Sequence, residues 1–131
     1  MSEFSSTIQS ADWKVEKHAP VIEAPDSVPA GEFFTVAAGL GKAIAHPNTV
    51  QHHISWISLY FLPEGAKMAI QLAHAEFSAH GDSTTDQPCP ALTNPAMSAT
   101  LKLAKPGVLQ AVAYCNIHGA WQSSKAIHVQ A

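Results

Sequence analysis

No run of apolar residues in this chain approaches the roughly 18 that a helix needs to cross a bilayer. Its opening stretch, Met1 to Asp12, is polar where an export signal would place its apolar segment. Both absences argue against a membrane partner and make the cytoplasm the expected location. Basic residues are scarce too: Lys and Arg together number seven against ten Asp and Glu, for a formal charge of −3 with neutral histidines. Scattered as they are, they form no positive stripe for phosphate backbones, which excludes nucleic acid as an expected partner. Cysteine occurs twice, as Cys89 and Cys115. Pairing them suits a secreted protein and would consume the best metal ligand in the chain, so two free thiols are expected. A helical period is also missing, since no 3.6-residue repeat survives over ten residues.

What remains is a chain of short strands. With 131 residues it suits one domain, large enough to bury roughly two-thirds of its unfolded surface. Residues 1–12 show no period and read as a loose N-terminal arm, and the folded domain is expected over 13–131. Val21 to Pro25 reads as an edge strand between prolines, Ser27 to Gly31 as a turn, and Glu32 to Gly39 as a strand. His53 to Leu62 is apolar on both alternating sets, as a strand buried on two sides would be. Lys67 to Phe77 alternates, with Met68, Ile70 and Leu72 sharing one face. Residues 81–96 carry three prolines and no period and read as a long surface loop. Ala99, Leu101 and Leu103, then Val108 to Tyr114, then Lys125 to Val129 complete the pattern. Six or seven such strands, punctuated by Pro and Gly, predict an all-β fold, an antiparallel β-sandwich.

Eight histidines are many for this length. His18, His46, His52 and His118 lie beside Pro, Asn or Gly in expected loops, while His74 and His128 fall within apolar alternation. Cys115 and His118, three positions apart at the end of an apolar run, suit a tight loop closing on one metal ion. Glu16-Lys17-His18 and the stretch from His46 to His52 bring three more imidazoles, so four histidines and one cysteine are expected to converge on a single centre. Alone, Cys115 reads as a small buried hydrophobe, His46-Pro47 as a turn, and Glu16 with Lys17 as a solvated pair. His52 and His53 are adjacent and point to opposite faces of an extended segment, so one of them reaches the metal, and the spacing from His46 favours His52. His53, His74, His80 and His128 are assigned to packing or solvent, Cys89 to an incidental thiol, and Trp56 and Trp121 to walls that limit solvent.

The set Glu16-Lys17-His18 with Pro20, His46-Pro47 with His52 and Trp56, and Cys115-Asn116-Ile117-His118-Gly119 with Trp121 resembles the superoxide reductases, the neelaredoxin and desulfoferrodoxin family. The resemblance implies an immunoglobulin-like β-sandwich that holds one mononuclear non-haem iron (Fe) and reduces superoxide to peroxide. It makes His18, His46, His52 and His118 the equatorial ligands and Cys115 the axial thiolate. Glu16 matches the carboxylate that closes the sixth position in the oxidised state, and Lys17 the cation beside the open face. The desulfoferrodoxin pattern adds an N-terminal four-cysteine domain, and no cysteine precedes His18, so the single-iron neelaredoxin type is the nearer match. That type implies a homotetramer and a rubredoxin-like electron donor. The chemistry is consistent with this: neutral imidazoles and one thiolate leave ferrous iron at net charge about +1, with a position opposite the sulfur for an anion. Two other classes fit less well. A copper electron-transfer sandwich would carry a methionine shortly after its Cys and His, and Gly119 to Lys125 has none. A non-catalytic immunoglobulin-like binding module would leave three histidine loops unexplained.

Overall fold

The structure, a computed structural model, describes residues 3–80 and 89–131. The first half of the expected surface loop, residues 81–88, lies outside them. The described strands are β1 (Gln9–Ser10), β2 (Val21–Glu23), β3 (Ser27–Pro29), β4 (Phe34–Gly39), β5 (Ile54–Pro63), β6 (Ile70–Glu76), β7 (Ala96–Leu101), β8 (Gly107–Cys115) and β9 (Gly119–Gln130). They form two sheets. The larger runs β1-β9-β8-β5-β6, with β3 also on β9, and the smaller runs β2-β4-β7. No helix among the described residues is long and apolar enough to cross a membrane.

Alternation builds the core. Along β5, Ile57, Leu59 and Phe61 are buried, and along β8 the same holds for Leu109, Ala111, Ala113 and Cys115. The two strands pair from Ile54 opposite Cys115 to Pro63 opposite Gly107. From the smaller sheet, Val36 and Ala38 of β4 and Leu101 of β7 join the same cluster. On its other face Ser58 is buried and Trp56 and Tyr60 are half-buried, so that face is partly withdrawn from solvent, less than the two-sided burial its composition suggests.

An all-β, two-sheet fold is therefore present, but it is not antiparallel throughout. β1 and β3 both run parallel to β9. β9 is twelve residues long and pairs with β8 along one edge, so its other edge is open to short segments from the N-terminal part of the chain. Ser27 to Pro29, expected as a turn, is one of these segments, with Val28 buried between two exposed neighbours. β9 itself begins six residues before the expected Lys125. Its polar run from Gln122 to Ser124 hides a strand whose alternate residues face solvent. In the arm, Phe4–Thr7 forms a 3-10 turn and Gln9–Ser10 is β1.

β6 also departs from its pattern. The strand expected from Lys67 begins at Ile70, so Met68 precedes it, and Met68 and Ile70, expected to share a face with half-buried Leu72, are 79% and 54% exposed. β6 is an edge strand, and a register shift opposite Leu59 and Tyr60 breaks the alternation.

Candidate metal centre

The sheet topology brings the ligand-bearing loops to one end of the molecule. Cys115 closes β8 and faces Gly119 at the start of β9, which leaves His118 in the turn between them. The same cysteine pairs with Ile54, the first residue of β5, so the segment carrying His46 and His52 arrives beside it. His18 precedes β2, whose Val21 pairs with Gly39 at the end of β4, from which the chain runs on to His46. Gly119 takes φ 83°, a left-handed conformation that glycine adopts without a Cβ penalty.

The four imidazoles form a closed quadrilateral. Ring centroids along its sides lie 4.9 Å apart for His18 and His46, 4.8 Å for His46 and His52, 5.0 Å for His52 and His118, and 4.6 Å for His118 and His18. The His18 to His52 diagonal is longer, at 6.3 Å. His18, His46, His52 and Cys115 each bring a ligand atom within 4.8 Å of the others. His118 joins through Nδ1, which is 3.1 Å from His18 Nε2 and 3.7 Å from the Cys115 sulfur. Two nitrogens about 2.1 Å from one ion and at right angles to each other would be roughly 3 Å apart.

Tautomers and burial point the same way. The His18 backbone N–H donates to Glu16 Oε1 at 3.0 Å, and His18 Nδ1 lies 2.7 Å from the same oxygen, so Nδ1 carries the proton and Nε2 presents its lone pair to the cluster. These bonds hold the Glu16 carboxyl below its usual pKa, so it is ionised. His46 Nδ1 donates to the Pro47 carbonyl at 2.7 Å, which leaves its Nε2 bare. Burial is the main cause that pushes His46 down to about 4, so at neutral pH the ring is uncharged and able to ligate. His52 is lowered for the same reason, with the charges of His118, His18 and Lys17 acting in the same sense. Among the described residues, Nε2 of His46 and Nε2 of His52 are buried without any hydrogen-bond partner. Two inward-facing orphan nitrogens beside a fully buried thiol make a donor set that fits a metal ion and has no other evident purpose.

Each expected site residue can be placed. His18, His46, His52, Cys115 and His118 are together. Glu16 rests on the outer nitrogen of His18, away from the cluster interior, and half-buried Lys17 is close enough for its charge to act on His46 and His52. His53 is turned elsewhere: its Nδ1 is 2.8 Å from the Thr49 carbonyl, and its ring stacks on His80 at 4.0 Å. His74 bonds Ser58 on the larger sheet, and the Cys89 sulfur donates to the Ala91 carbonyl. Trp121 stacks on His18 at 5.1 Å, and its Nε1 donates to the His118 carbonyl at 3.2 Å, which makes it more than a wall. Gln9 of β1 donates to that carbonyl as well, at 3.2 Å, a contact with no signal in the sequence.

Residues 10–124 match the desulfoferrodoxin family model. The chain is 52% identical to neelaredoxin of Megalodesulfovibrio gigas over 91% of its own length and 92% of that protein. It is 48% identical to the superoxide reductase of Pyrococcus furiosus, over 91% and 94% of the two chains. The solved superoxide reductase (neelaredoxin) of Archaeoglobus fulgidus in its reduced form superimposes with a TM-score of 0.83 at 43% identity, covering 93% of this chain and 98% of that one.

Proposed function

We propose, from the premise that this chain belongs to the desulfoferrodoxin family, that it is a superoxide reductase: one electron and two protons convert each superoxide to hydrogen peroxide at a mononuclear non-haem iron. The observation that carries this reading is the quadrilateral of imidazoles closed over a buried thiol, with two inward Nε2 atoms that no group among the described residues satisfies. His18, His46, His52 and His118 are the four nitrogen ligands and Cys115 is the thiolate. Once bound, the iron supplies the electron and is restored by an external donor, for which the family resemblance favours a rubredoxin-like protein.

The chain's own residues select and steer the substrate. Neutral rings and a single thiolate keep the site cationic when loaded, which favours a small anion. Lys17, the cation nearest in sequence to a ligand, raises the local concentration of superoxide and accelerates its encounter. Glu16 is the gate. Its carboxylate is held by the backbone and Nδ1 of His18, and turning toward the ligand cluster would mean giving up both bonds. Were an iron held by these ligands to be oxidised, its greater charge would favour that exchange, and Glu16 would then help expel peroxide and keep a second superoxide from being oxidised. The net reaction is thus reduction and not dismutation.

The reading extends to the assembly and the fold family. The two sheets are those of an immunoglobulin-like sandwich, with the parallel strands as additions at the β9 edge. The outer face of the larger sheet carries Trp56, Tyr60, Val112 and Tyr114 beside Phe4 and Ile8, an apolar surface suited to a homotetramer working in the cytoplasm. The test is dioxygen yield from superoxide with iron-loaded protein and no electron donor. The expected result is a single turnover that gives peroxide without dioxygen and stalls as ferric protein. Sustained dioxygen evolution would overturn the reading of Glu16 as a gate.

A further inference from the structure

We propose that Asn116 is a positioning residue that fastens the His52 imidazole to the Cys115 thiol, so that the two ligands move as one unit. The inference rests on the superoxide reductase reading and goes beyond its ligand set. Asn116 follows Cys115 directly and straddles His52. Its side-chain Nδ2 donates to the Gln51 carbonyl at 2.9 Å, and its Oδ1 accepts from the His53 backbone N–H at 2.9 Å. Its own backbone N–H donates to the His53 carbonyl at 3.1 Å. The peptide groups on both sides of His52 are therefore tied to the residue after the cysteine, which continues the β5 and β8 pairing past its last rung at Ile54 and Cys115.

The chemistry leaves no ambiguity about the amide. A carbonyl must receive the NH2 group and an N–H must meet the oxygen, so only one orientation satisfies both neighbours. Among the described residues, the segment from His46 to His52 has few other side-chain tethers to distant parts of the chain. Thr49 and His52 bond each other within the loop, and Asn48 reaches the Thr93 carbonyl at 3.4 Å and His80. Asn116 itself is exposed, so it adds nothing to the apolar core, and its three bonds to the loop define its role. Residues that orient metal ligands in this way typically change metal affinity by about ten- to a hundredfold when replaced.

The test compares wild type, Asn116→Ala and Asn116→Asp, each loaded with iron. Three readouts are taken: the rate of iron release to a chelator, the energy of the ferric thiolate charge-transfer band, and hydrogen exchange at the His53 amide of metal-free protein. Asn116→Ala is expected to release iron about ten- to a hundredfold faster, shift the band and expose the His53 amide, with the β5 and β8 core amides protected as in wild type. Asn116→Asp keeps the acceptor for His53 and loses the donor to Gln51, so its release rate should fall between the two. If the alanine variant fails to fold, the aspartate variant decides: faster release than wild type supports the inference. Wild-type release rate and an unmoved band in a folded variant overturn it. A wild-type protein that takes up no iron overturns the reductase reading, and this inference with it.

Discussion

The slab between the two sheets and the loop end beneath it are built by different rules. In the slab, Val36, Ile57, Leu59, Leu109 and Ile127 are held by apolar contact, which is non-directional and tolerant of exchange among residues of similar volume. At the loop end, position depends on directed bonds: Glu16 on His18, the Pro47 carbonyl on His46, Asn116 on both sides of His52. The slab satisfies itself. The loop end does not, because two buried imidazole nitrogens have no partner among the described residues and each costs about 1–3 kcal/mol until one arrives. Metal binding there is also stabilising, and stripping the ion should lower the melting temperature while leaving the β-sheet signal intact.

Substitutions in the two regions should therefore separate cleanly. The largest effect is expected from Cys115→Ser, which removes the only thiol at the cluster. Iron content should fall well below one per chain, and the ferric thiolate band should vanish, as absorption and metal analysis would show. An intact band would dismiss Cys115 as the sulfur ligand. Nearly as large is the contrast between neighbours: His52→Ala should lose most bound iron, whereas His53→Ala, whose ring stacks on His80, should retain it. The reverse result would move the ligand by one position.

Leu109→Ala tests the other side of the comparison. It empties a fully buried site in the slab and should cost about 2–5 kcal/mol in denaturant unfolding. The iron spectrum of the folded fraction should stay unchanged. A shifted band would mean that the slab and the loop end are not separable. Glu16→Ala should preserve single-turnover reduction of superoxide yet leave the ferric site open to added anions such as azide, seen as a spectral change absent in wild type. The smallest effect is kinetic. Lys17→Ala should slow the reaction of ferrous protein with pulse-generated superoxide several-fold and flatten its dependence on ionic strength. An unaltered rate and salt slope would return Lys17 to the ordinary solvated surface.

The slab was legible in the sequence where apolar residues ran together, as from His53 to Leu62, apolar on both alternating sets, and from Val108 to Tyr114. It became illegible at the margins. Val28 gives one apolar residue between prolines, too short a pattern to distinguish a strand from a turn, and only the open edge of β9 makes it pair. Alternation from Lys67 to Phe77 puts Met68, Ile70 and Leu72 on one face, but hydropathy cannot report that β6 starts only at Ile70 and lies at a sheet edge with a bulge. The centre was legible for the opposite reason. Imidazoles and a thiol beside Pro, Asn and Gly are chemically distinctive without any period at all, so their loops could be picked out before their geometry was known. Their supports were not: Gln9, Trp121 and the straddling bonds of Asn116 are common polar or aromatic residues, and their roles appear only when distant segments meet.

By itself, then, the sequence determined the kind of chemistry and the kind of fold: five soft or borderline donors in three loops, and strands enough to carry them. Residue type sets donor softness and strand periodicity locally, and neither needs knowledge of distant contacts. Only the tertiary structure decided that His53 turns away to Thr49 and His80, that Glu16 rests on the Nδ1 of His18, and that β9 accepts two parallel partners. Those outcomes depend on which backbone groups remain unpaired once the sheets have formed, and a sheet edge or an orphan nitrogen exists only after residues far apart in the chain have come together.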